Sequence, residues 1–393
     1  MKIYTITAAL ILLGFCGCAQ DFKSDNVRYQ TISWADFFKR IDHNPKLVYF
    51  DIRTQGERSD NGKSLAFNQG KIKGAIETDF GDFNKYYPEY LKHKNDTVYL
   101  YCSHAKRSRM LGKQLADSGF VNVININGGL SYLNSISESE MPNKSKYYTN
   151  NLKYKLVTPS EFIRALNDEK YQVVDIRPDS LYFGTAREER QNTFGKIKST
   201  LHIPYDRLKD NLKLLDKTKI IYLFDNDGNQ SPIAANYLIE CGYNTSALIF
   251  GLSNIISATE NKERNFLKTR YQFILPEELL KLVNQNSNTV IVDIRSELEF
   301  TGKAKAAWKN IGTLKNAINV PSVAVSMEKI ARYAGKTIVI YDMMMGDDEL
   351  FTYAKRLKGY GVKDLYLLYG GISKIKESIY DHQKLSLKSL LDE

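Results

Sequence analysis

The feature that most constrains this chain is a threefold internal repeat. The tripeptide Asp-Ile-Arg follows an apolar run three times, beginning at Asp51, Asp175 and Asp293. Each copy continues into a second apolar run, and these end at Cys102, Asp225 and Asp342. Self-similarity at a fixed period marks a repeated structural unit, so we expect three copies of one domain of about 110 residues.

Later landmarks keep the same register. A helical stretch in each copy is closed by a glycine: Gly119, Gly242 and Gly361. A last apolar strand then leads to Gly128-Gly129, Phe250-Gly251 and Gly370-Gly371. The copies are separated by polar stretches without apolar periodicity, which are typical of linkers. The predicted domains are 28–134, 155–255 and 271–375, and a short terminal helix is predicted from residue 374 onward.

The order of patterns within a copy indicates the fold class. Each copy reads as helix, apolar strand, long loop, apolar strand, helix and strand. Strands that are apolar throughout and separated by helices are typical of a mostly parallel sheet with helices on both faces. We therefore predict an α/β protein of three such domains. Ligands of open parallel sheets bind beyond the carboxyl ends of the strands.

The charge of the chain suggests no nucleic-acid partner. The formal net charge is +10, from 55 basic and 45 acidic residues, but the lysines and arginines are scattered. Scattered charges of this kind predict a solvated basic surface. Nucleic-acid binding is the weaker alternative, because the sequence has no zinc-ligand spacing, no basic helix block and no aromatic RNA-binding signature.

The N-terminus resembles a lipoprotein signal peptide. Lys2 precedes an apolar stretch from Ile6 to Phe15, which is too short for a permanent membrane span. Gly17 then precedes Cys18, the expected lipidation site, so residues 1–18 are predicted to be the signal. We expect a lipid-anchored protein of the cell envelope, on the periplasmic or the cell-surface side. An ordinary secretory signal is the alternative.

Few cysteines remain after such processing. Only Cys102 and Cys241 would be left as thiols, and two thiols make no disulfide framework. Cys241 recurs at helical spacing with apolar residues, so it is predicted to be a buried structural residue.

The loop after the second apolar strand carries the chemistry in the first copy, where it reads YCSHAKRS. Cys102 ends the strand, Arg107 follows five residues later, and a helix is predicted to begin near Ser108. Such a loop turns backbone N–H groups and the positive end of the helix dipole toward the sulfur, which favours the reactive thiolate. Cys102 and Arg107 are the predicted catalytic residues. Substrate contacts are predicted for Ser103, His104, Ala105, Lys106 and Ser108.

This loop, with DIRTQGE upstream and NGGL downstream, resembles the rhodanese family of sulfurtransferases. The resemblance covers most of residues 28–375 and implies that Cys102 accepts a sulfane sulfur as a persulfide, with Arg107 closing the loop. It implies a small sulfur donor such as thiosulfate, a thiol or cyanide-like acceptor, and no cofactor or metal. Ala105 stands where the family often has glycine, and about ten extra residues follow Glu57.

The other two copies lack the chemistry of the first. Asp225 and Gln230 replace the cysteine and the arginine in copy two, and Asp342 replaces the cysteine in copy three. A hard-cation site at Asp342, Asp347 and Asp348 is a weak alternative, because the spacing matches no known calcium loop. We predict that only the first domain is active and that domains 2 and 3 are degenerate, with a possible protein partner.

Asp51 and Arg53 recur in all copies, with and without the cysteine. They are therefore predicted to form an ion pair that supports the strand-end loop. Two alternatives to a sulfurtransferase remain open. A phosphatase is disfavoured because only four residues separate Cys102 from Arg107, which makes the loop too small for phosphate. A non-catalytic module, in which domains 2 and 3 bind a partner and Cys102 is a redox sensor or a vestige, is the second alternative.

Overall fold

The computed structural model describes residues 29–58, 67–258, 266–306, 309–333, 335–380 and 384–392. The predicted signal peptide and Cys18 lie outside these ranges. Within them, no helix combines the length and the apolar character that a membrane span requires.

Each repeat contains a five-stranded sheet in which all neighbouring strands run parallel. With the strands numbered along the chain, the order is 1-5-4-2-3 in all three repeats. In repeat 1 the strands are Gln30–Ile32, Val48–Asp51, Ile76–Glu77, Thr97–Tyr101 and Asn122–Ile126. In repeat 2 they are Lys155–Val157, Tyr171–Asp175, Leu201–His202, Ile220–Phe224 and Asn244–Leu248. In repeat 3 they are Gln272–Ile274, Thr289–Asp293, Ile318–Asn319, Thr337–Tyr341 and Leu365–Leu368.

Helices connect these strands. Repeat 1 has the helices Trp34–His43, Phe83–Leu91, Lys106–Asp117 and Gly129–Ser135. Repeat 2 has Pro159–Ala165, Asp179–Phe183, Ser231–Glu240 and Gly251–Ala258. Repeat 3 has Pro276–Gln285, Glu297–Phe300, Met327–Ala331, Asp348–Gly359 and Gly371–Tyr380. The predicted α/β class, with mostly parallel sheets and flanking helices, is confirmed.

In repeats 1 and 2 the first helix begins where a polar side chain caps its N-terminus. The Ser33 hydroxyl accepts a hydrogen bond from the Asp36 N–H at 3.1 Å. In repeat 2, Thr158 and Glu161 form a capping box, and Pro159 occupies the first helical position. These groups satisfy backbone N–H groups that have no partner inside the helix. The cap therefore fixes where the chain leaves the first strand.

Alternation along the fourth strand decides which face of the sheet each residue joins. In repeat 1, Tyr99 and Tyr101 pack into the core cluster on one face. Val98, Leu100 and Cys102 pack into the cluster on the other face, against the helix Lys106–Asp117. Successive side chains of a strand point to opposite faces. The Cys102 side chain therefore lies on the face of the sheet that this helix covers.

The structure adds elements that the sequence did not predict. Strand 1 forms one edge of each sheet and strand 3 forms the other, and both have only two or three residues. The first linker contains the helix Lys144–Tyr147 and the strand Tyr148–Thr149, which pairs antiparallel with Lys71–Ile72. The predicted terminal helix is wrong after Tyr380: residues Leu385–Leu390 form a 3-10 helix, and Leu391–Asp392 pairs with Thr313–Leu314.

Repeats 2 and 3 pack on each other through a continuous apolar core. One cluster of buried side chains runs from Val157 in repeat 2 to Leu367 in repeat 3. At the same junction the Glu189 carboxylate accepts hydrogen bonds from the Tyr271 hydroxyl at 2.6 Å, from Arg270 at 2.7 Å and from Lys355 at 3.0 Å. The core clusters of repeat 1 contain buried residues of that repeat and its linker only.

Candidate active site

A buried ion pair stands at the end of strand 2 in repeat 1. Arg53 donates from Nε to Asp51 Oδ1 at 2.8 Å, and both side chains are fully buried. The same guanidinium donates from Nη2 to the Gly70 carbonyl at 2.7 Å, and so ties the strand end to the segment before strand 3. Repeats 2 and 3 contain the equivalent pairs, Arg177 with Asp175 and Arg295 with Asp293.

The segment after strand 4, which we call the strand-4 loop, has one backbone feature in common in all three repeats. It begins at Cys102, Asp225 and Asp342. The residue three positions after the first residue of the loop adopts a positive φ in each copy: Ala105 at 61°, Gly228 at 71° and Met345 at 57°. In repeat 1 the helix begins directly after it, at Lys106. Ala105 therefore adopts the left-handed conformation for which glycine is favoured.

Backbone N–H groups of the last helix of repeat 1 donate hydrogen bonds to carbonyl groups of this loop and so hold it in place. The Leu130 N–H donates to the Cys102 carbonyl at 3.0 Å, and the Ser131 N–H donates to the Ser103 carbonyl at 2.9 Å. A side chain at Gly129 would approach these carbonyls to within about 2.4 Å, so a glycine is required there. The contact fixes the orientation of the first two peptide groups of the loop.

The thiol of Cys102 is buried, with 1% of the residue exposed. Its Sγ atom lies 3.6 Å from the Ser108 hydroxyl, which also approaches Asn125 Oδ1 at 2.6 Å. Aromatic and aliphatic side chains of the core cluster cover the rest. The sulfur therefore has a polar contact on the helix side, and a reagent reaches it only when the covering groups move.

Arg107 lies over the loop and forms a two-pronged ion pair with Glu57. Its Nη1 and Nη2 atoms donate to the two carboxylate oxygens at 2.7 and 2.6 Å, and Nη2 also donates to the Ser103 hydroxyl at 2.9 Å. The hydrogen bonds that Arg107 donates to Glu57, together with the nearby Cys102, raise the pKa of Arg107. Burial favours protonation of Glu57, yet the contacts with Arg107 hold the pKa of Glu57 below its ordinary value. Both groups are therefore charged at neutral pH.

His104 is the loop residue that faces the neighbouring repeats. Its Nδ1 atom lies 3.0 Å from the Ser103 hydroxyl, and its ring packs against the Phe250 ring of repeat 2. Burial lowers the pKa of His104, and the positive charge of Arg107 lowers it further. The imidazole is therefore mainly neutral at pH 7. Lys106 is exposed at the start of the helix.

The structure thus brings most of the predicted site residues together around one sulfur. Ser108 contacts the sulfur directly, and Ser103, His104 and Arg107 are joined to one another by hydrogen bonds in the same loop. Asp51 with Arg53 supports the adjacent strand end. The sequence did not single out Glu57 as a site residue, although it stands in the same DIRTQGE segment as Arg53. It missed Asn125 and Phe250 as well, because each contact joins segments far apart in the chain.

The strand-4 loop of repeat 2 encloses a carboxylate. The backbone N–H groups of Gly228, Gln230 and Ser231 all donate to the side chain of Asp225. Burial raises the pKa of Asp225 even though these hydrogen bonds favour the ionised form. Ala105, Arg107 and Ser108 are the residues at the same loop positions in repeat 1. In repeat 2, therefore, three backbone donors point at the side chain that stands in the place of the cysteine.

The loop of repeat 3 is acidic and half-buried. The Met345 N–H donates to Asp342 Oδ1 at 2.7 Å, and burial raises the pKa of Asp342 to about 6. A cleft of about 450 Å³ adjoins it, lined in part by Asp347 and Glu349. In the described part of the chain, these and other carboxylates, histidines and cysteines form no group able to hold a metal ion.

The structure is therefore that of a protein of three α/β repeats, each with a strand-4 loop at the carboxyl end of its sheet that begins with Cys102, Asp225 or Asp342. The sequence model of the rhodanese-like domain matches residues 34–135, 158–258 and 275–378. These three ranges cover more than half of the chain. The chain therefore belongs to the rhodanese-like domain family, and the resemblance to three tandem copies is confirmed.

Comparison with other proteins adds distant likenesses. No curated protein matches the chain. The structure of a thiosulfate sulfurtransferase from Pseudomonas aeruginosa is 13% identical, with 88% of this chain and 64% of that chain covered and a TM-score of 0.22. A rhodanese-related protein from Thermoplasma volcanium is 22% identical, with 26% and 92% covered and a TM-score of 0.22. A variant of EanB in complex with hercynine is 13% identical, with 88% and 95% covered and a TM-score of 0.28.

The chain thus spans less than two thirds of the first of these proteins. Likenesses at these identities concern the fold.

Proposed function

We propose that the protein is a sulfurtransferase in which repeat 1 alone is active, and that Cys102 carries the transferred sulfur as a persulfide. One observation carries the proposal: in repeat 2 the same loop directs three backbone N–H groups at an anion in the position of Cys102. A persulfide is an anion at that position. Arg107, held beside the loop, adds a positive charge that repeats 2 and 3 lack there.

The chemistry takes two steps. The Cys102 thiolate attacks the outer sulfur of a donor such as thiosulfate, the S–S bond of the donor breaks, and sulfite leaves with the bonding electron pair. An acceptor thiolate or cyanide then attacks the outer sulfur of the persulfide, which releases the Cys102 thiolate. The cycle needs no cofactor. Because the thiol is buried, the groups that cover it must move before the donor can approach.

The test is sulfur loading of the full chain. The protein is mixed with thiosulfate or polysulfide, its mass is measured intact, and the modified peptide is located. We expect an adduct of one sulfur atom on the Cys102 peptide. Cys102→Ser should carry none, whereas the matched control Cys241→Ser should load normally. Failure of every sulfane donor to modify the wild-type protein would falsify the proposal.

The burial of Cys102 favours a second candidate, a non-catalytic module. Reactive cysteines usually lie in partly exposed positions, whereas only 1% of this residue is exposed. In this candidate Cys102 is a redox sensor or a vestige, and repeats 2 and 3 bind a protein partner. Loss of partner capture on deletion of residues 155–375, with Cys102→Ser harmless, would support it over sulfur transfer.

We also propose that the protein is exported to the cell envelope and anchored by a lipid on Cys18. The sequence of residues 1–18 supports this, since a short apolar stretch precedes Gly17 and Cys18. Feeding cells a labelled fatty acid should label the protein, and Cys18→Ser should abolish both the label and the membrane fractionation. A labelled Cys18→Ser variant contradicts the anchor.

A further inference from the structure

Phe250 occupies a backbone position that is a glycine in the other two repeats. The last strand leads to Gly128 in repeat 1 and to Gly370 in repeat 3, with φ of 67° and 70°. Phe250 follows the same strand in repeat 2 and has a φ of 55°. A residue with a Cβ is disfavoured in this left-handed conformation. Such a residue persists where its side chain does something that a glycine cannot do.

The ring of Phe250 crosses to repeat 1. It packs against the His104 ring with a distance of 5.7 Å between centroids and an interplanar angle of 53°. The Ser135 hydroxyl donates to Asn254 Oδ1 at 3.3 Å, which joins the same two repeats. His104 and Phe250 also line a cleft of about 560 Å³ to which repeat 3 contributes Tyr369 and other side chains. The ring therefore meets the strand-4 loop of repeat 1 at a junction of all three repeats.

The contact continues to the guanidinium by two hydrogen bonds. His104 Nδ1 lies 3.0 Å from the Ser103 hydroxyl. That hydroxyl accepts a hydrogen bond from Arg107 Nη2 at 2.9 Å, and Arg107 is held on its other side by Glu57. A displaced His104 ring thus frees Ser103 to turn, and Arg107 then loses one of the partners that hold it over Cys102.

We propose that Phe250 is a positioning residue for the sulfur site: repeat 2 holds the His104 ring in place and, through Ser103, the guanidinium of Arg107. The proposal rests on the proposed function for its catalytic meaning. It assigns a task to a repeat that lacks the cysteine and the arginine. Repeat 2 completes the site of repeat 1 by a contact from outside that domain.

Phe250→Gly is the informative variant, because it restores the residue of repeats 1 and 3 and relieves the left-handed strain. We expect its rate of sulfur loading from thiosulfate to fall about tenfold, as expected when a reacting group is misplaced slightly. Phe250→Tyr keeps a ring and should retain the rate. In a His104→Ala background, Phe250→Gly should have no further effect, because the two residues act through one contact.

A second measurement separates failure of this proposal from failure of the proposed function. The rate at which iodoacetamide alkylates Cys102, resolved by peptide mass, needs no sulfur transfer. Phe250→Gly should change that rate and leave the rate at Cys241 unchanged, and His104→Ala should abolish the difference. If the wild-type protein loads no sulfur, these alkylation rates still decide the positioning role.

Two results overturn the proposal. One is a Phe250→Gly protein that loads sulfur and alkylates like the wild type. The other is an equal loss of both rates in the wild-type and the His104→Ala backgrounds, which would make the effect of Phe250 independent of His104.

Discussion

The strand-4 loops of repeats 1 and 2 share a backbone and differ in what they hold. In both loops the third residue after Cys102 or Asp225 has a positive φ. The backbone carbonyl of Cys102 or Asp225 itself accepts a hydrogen bond of 3.0 Å from the last helix of the repeat. Repeat 1 holds the thiol of Cys102 at the centre, and repeat 2 holds the carboxylate of Asp225. The comparison teaches that the backbone of repeat 2 holds an anion supplied by its own side chain, whereas repeat 1 places a thiol at that position.

The charged partners of the loop change together between the two repeats. Arg107 and Glu57 form an ion pair in repeat 1, and Gln230 and Leu181 stand at the equivalent positions in repeat 2. Loss of only one partner would leave a half-buried charge unpaired, which is costly. A loop that is already filled by Asp225 has no use for a cation to attract a further anion.

The largest expected effect comes from removing the guanidinium of Arg107, because the other two repeats have no arginine at this position of the strand-4 loop. Arg107→Ala should lower the rate of sulfur loading about 100-fold, as the loss of one donor to a developing anion does in other enzymes. Stopped reactions analysed by intact mass give the rate. Lys113→Ala, an exposed cation on the same helix, is the control and should load normally. An unchanged rate in Arg107→Ala means that the backbone suffices.

Removing the internal anion of repeat 2 should come next. Asp225→Ala leaves three backbone N–H groups without their acceptor, and we expect a loss of about 2 kcal/mol in the free energy of unfolding. Urea unfolding measures the loss, and Asp227→Ala, an exposed carboxylate of the same loop, is the control. Added formate, a carboxylate of the kind that the loop of repeat 2 holds, should restore part of the stability of Asp225→Ala by entering the emptied loop. Indifference to formate contradicts the anion-site interpretation.

The carboxyl group in the loop of repeat 3 should make stability depend on pH. Burial raises the pKa of Asp342 to about 6, above the ordinary value of 3.8, so between these values the folded protein holds a proton that the unfolded chain has lost. Stability should therefore fall as the pH rises through this window, by about 1 kcal/mol after allowance for partial exposure.

Melting temperatures measured between pH 4 and pH 7 test this prediction, because this range contains the raised pKa of Asp342. Asp342→Asn should flatten the profile. Asp347→Asn removes one of the charges that raise the pKa of Asp342, so it should move the fall to lower pH. A profile that Asp342→Asn leaves unaltered assigns the pH dependence to another group.

The smallest expected effect concerns Ala105, which stands where repeat 2 has Gly228. Ala105→Gly should stabilise the protein by roughly 0.5 to 1 kcal/mol, because glycine adopts a positive φ without strain. Ala116→Gly in the following helix is the matched control and should destabilise by about 1 kcal/mol. Chemical denaturation of both variants gives the two values. Destabilisation by Ala105→Gly would show that the packing of its methyl group outweighs the strain.

Much of the fold could be predicted because the sequence pattern of each long strand and helix occurs three times in the chain. The long strands and the helices after the loops recur in register, and their apolar runs are unambiguous. Strands 1 and 3 could not be predicted, since two or three residues carry no measurable periodicity. The final strand Leu391–Asp392 depends on pairing with Thr313–Leu314, a tertiary contact that no local pattern announces.

The site was predictable where one short segment builds it. Cys102 and Arg107 stand in the same loop, and the anchoring pair Asp51 and Arg53 recurs in every copy. Glu57 pairs with Arg107 across 50 residues of chain, and the pairing depends on how strand 2 lies beside strand 4. The thiol is buried by the apolar core cluster around it, whose members come from distant parts of repeat 1, so its burial could not be predicted from the loop sequence.

The apolar core that repeats 2 and 3 share has a consequence for how the molecule melts. Because buried side chains of both contribute to one cluster, these two repeats should unfold together in a single calorimetric transition, and repeat 1 in another. A sulfur atom gained on Cys102 would then displace one endotherm and leave the other in place. The heat-capacity trace of this protein can thus report which part of the molecule a ligand occupies.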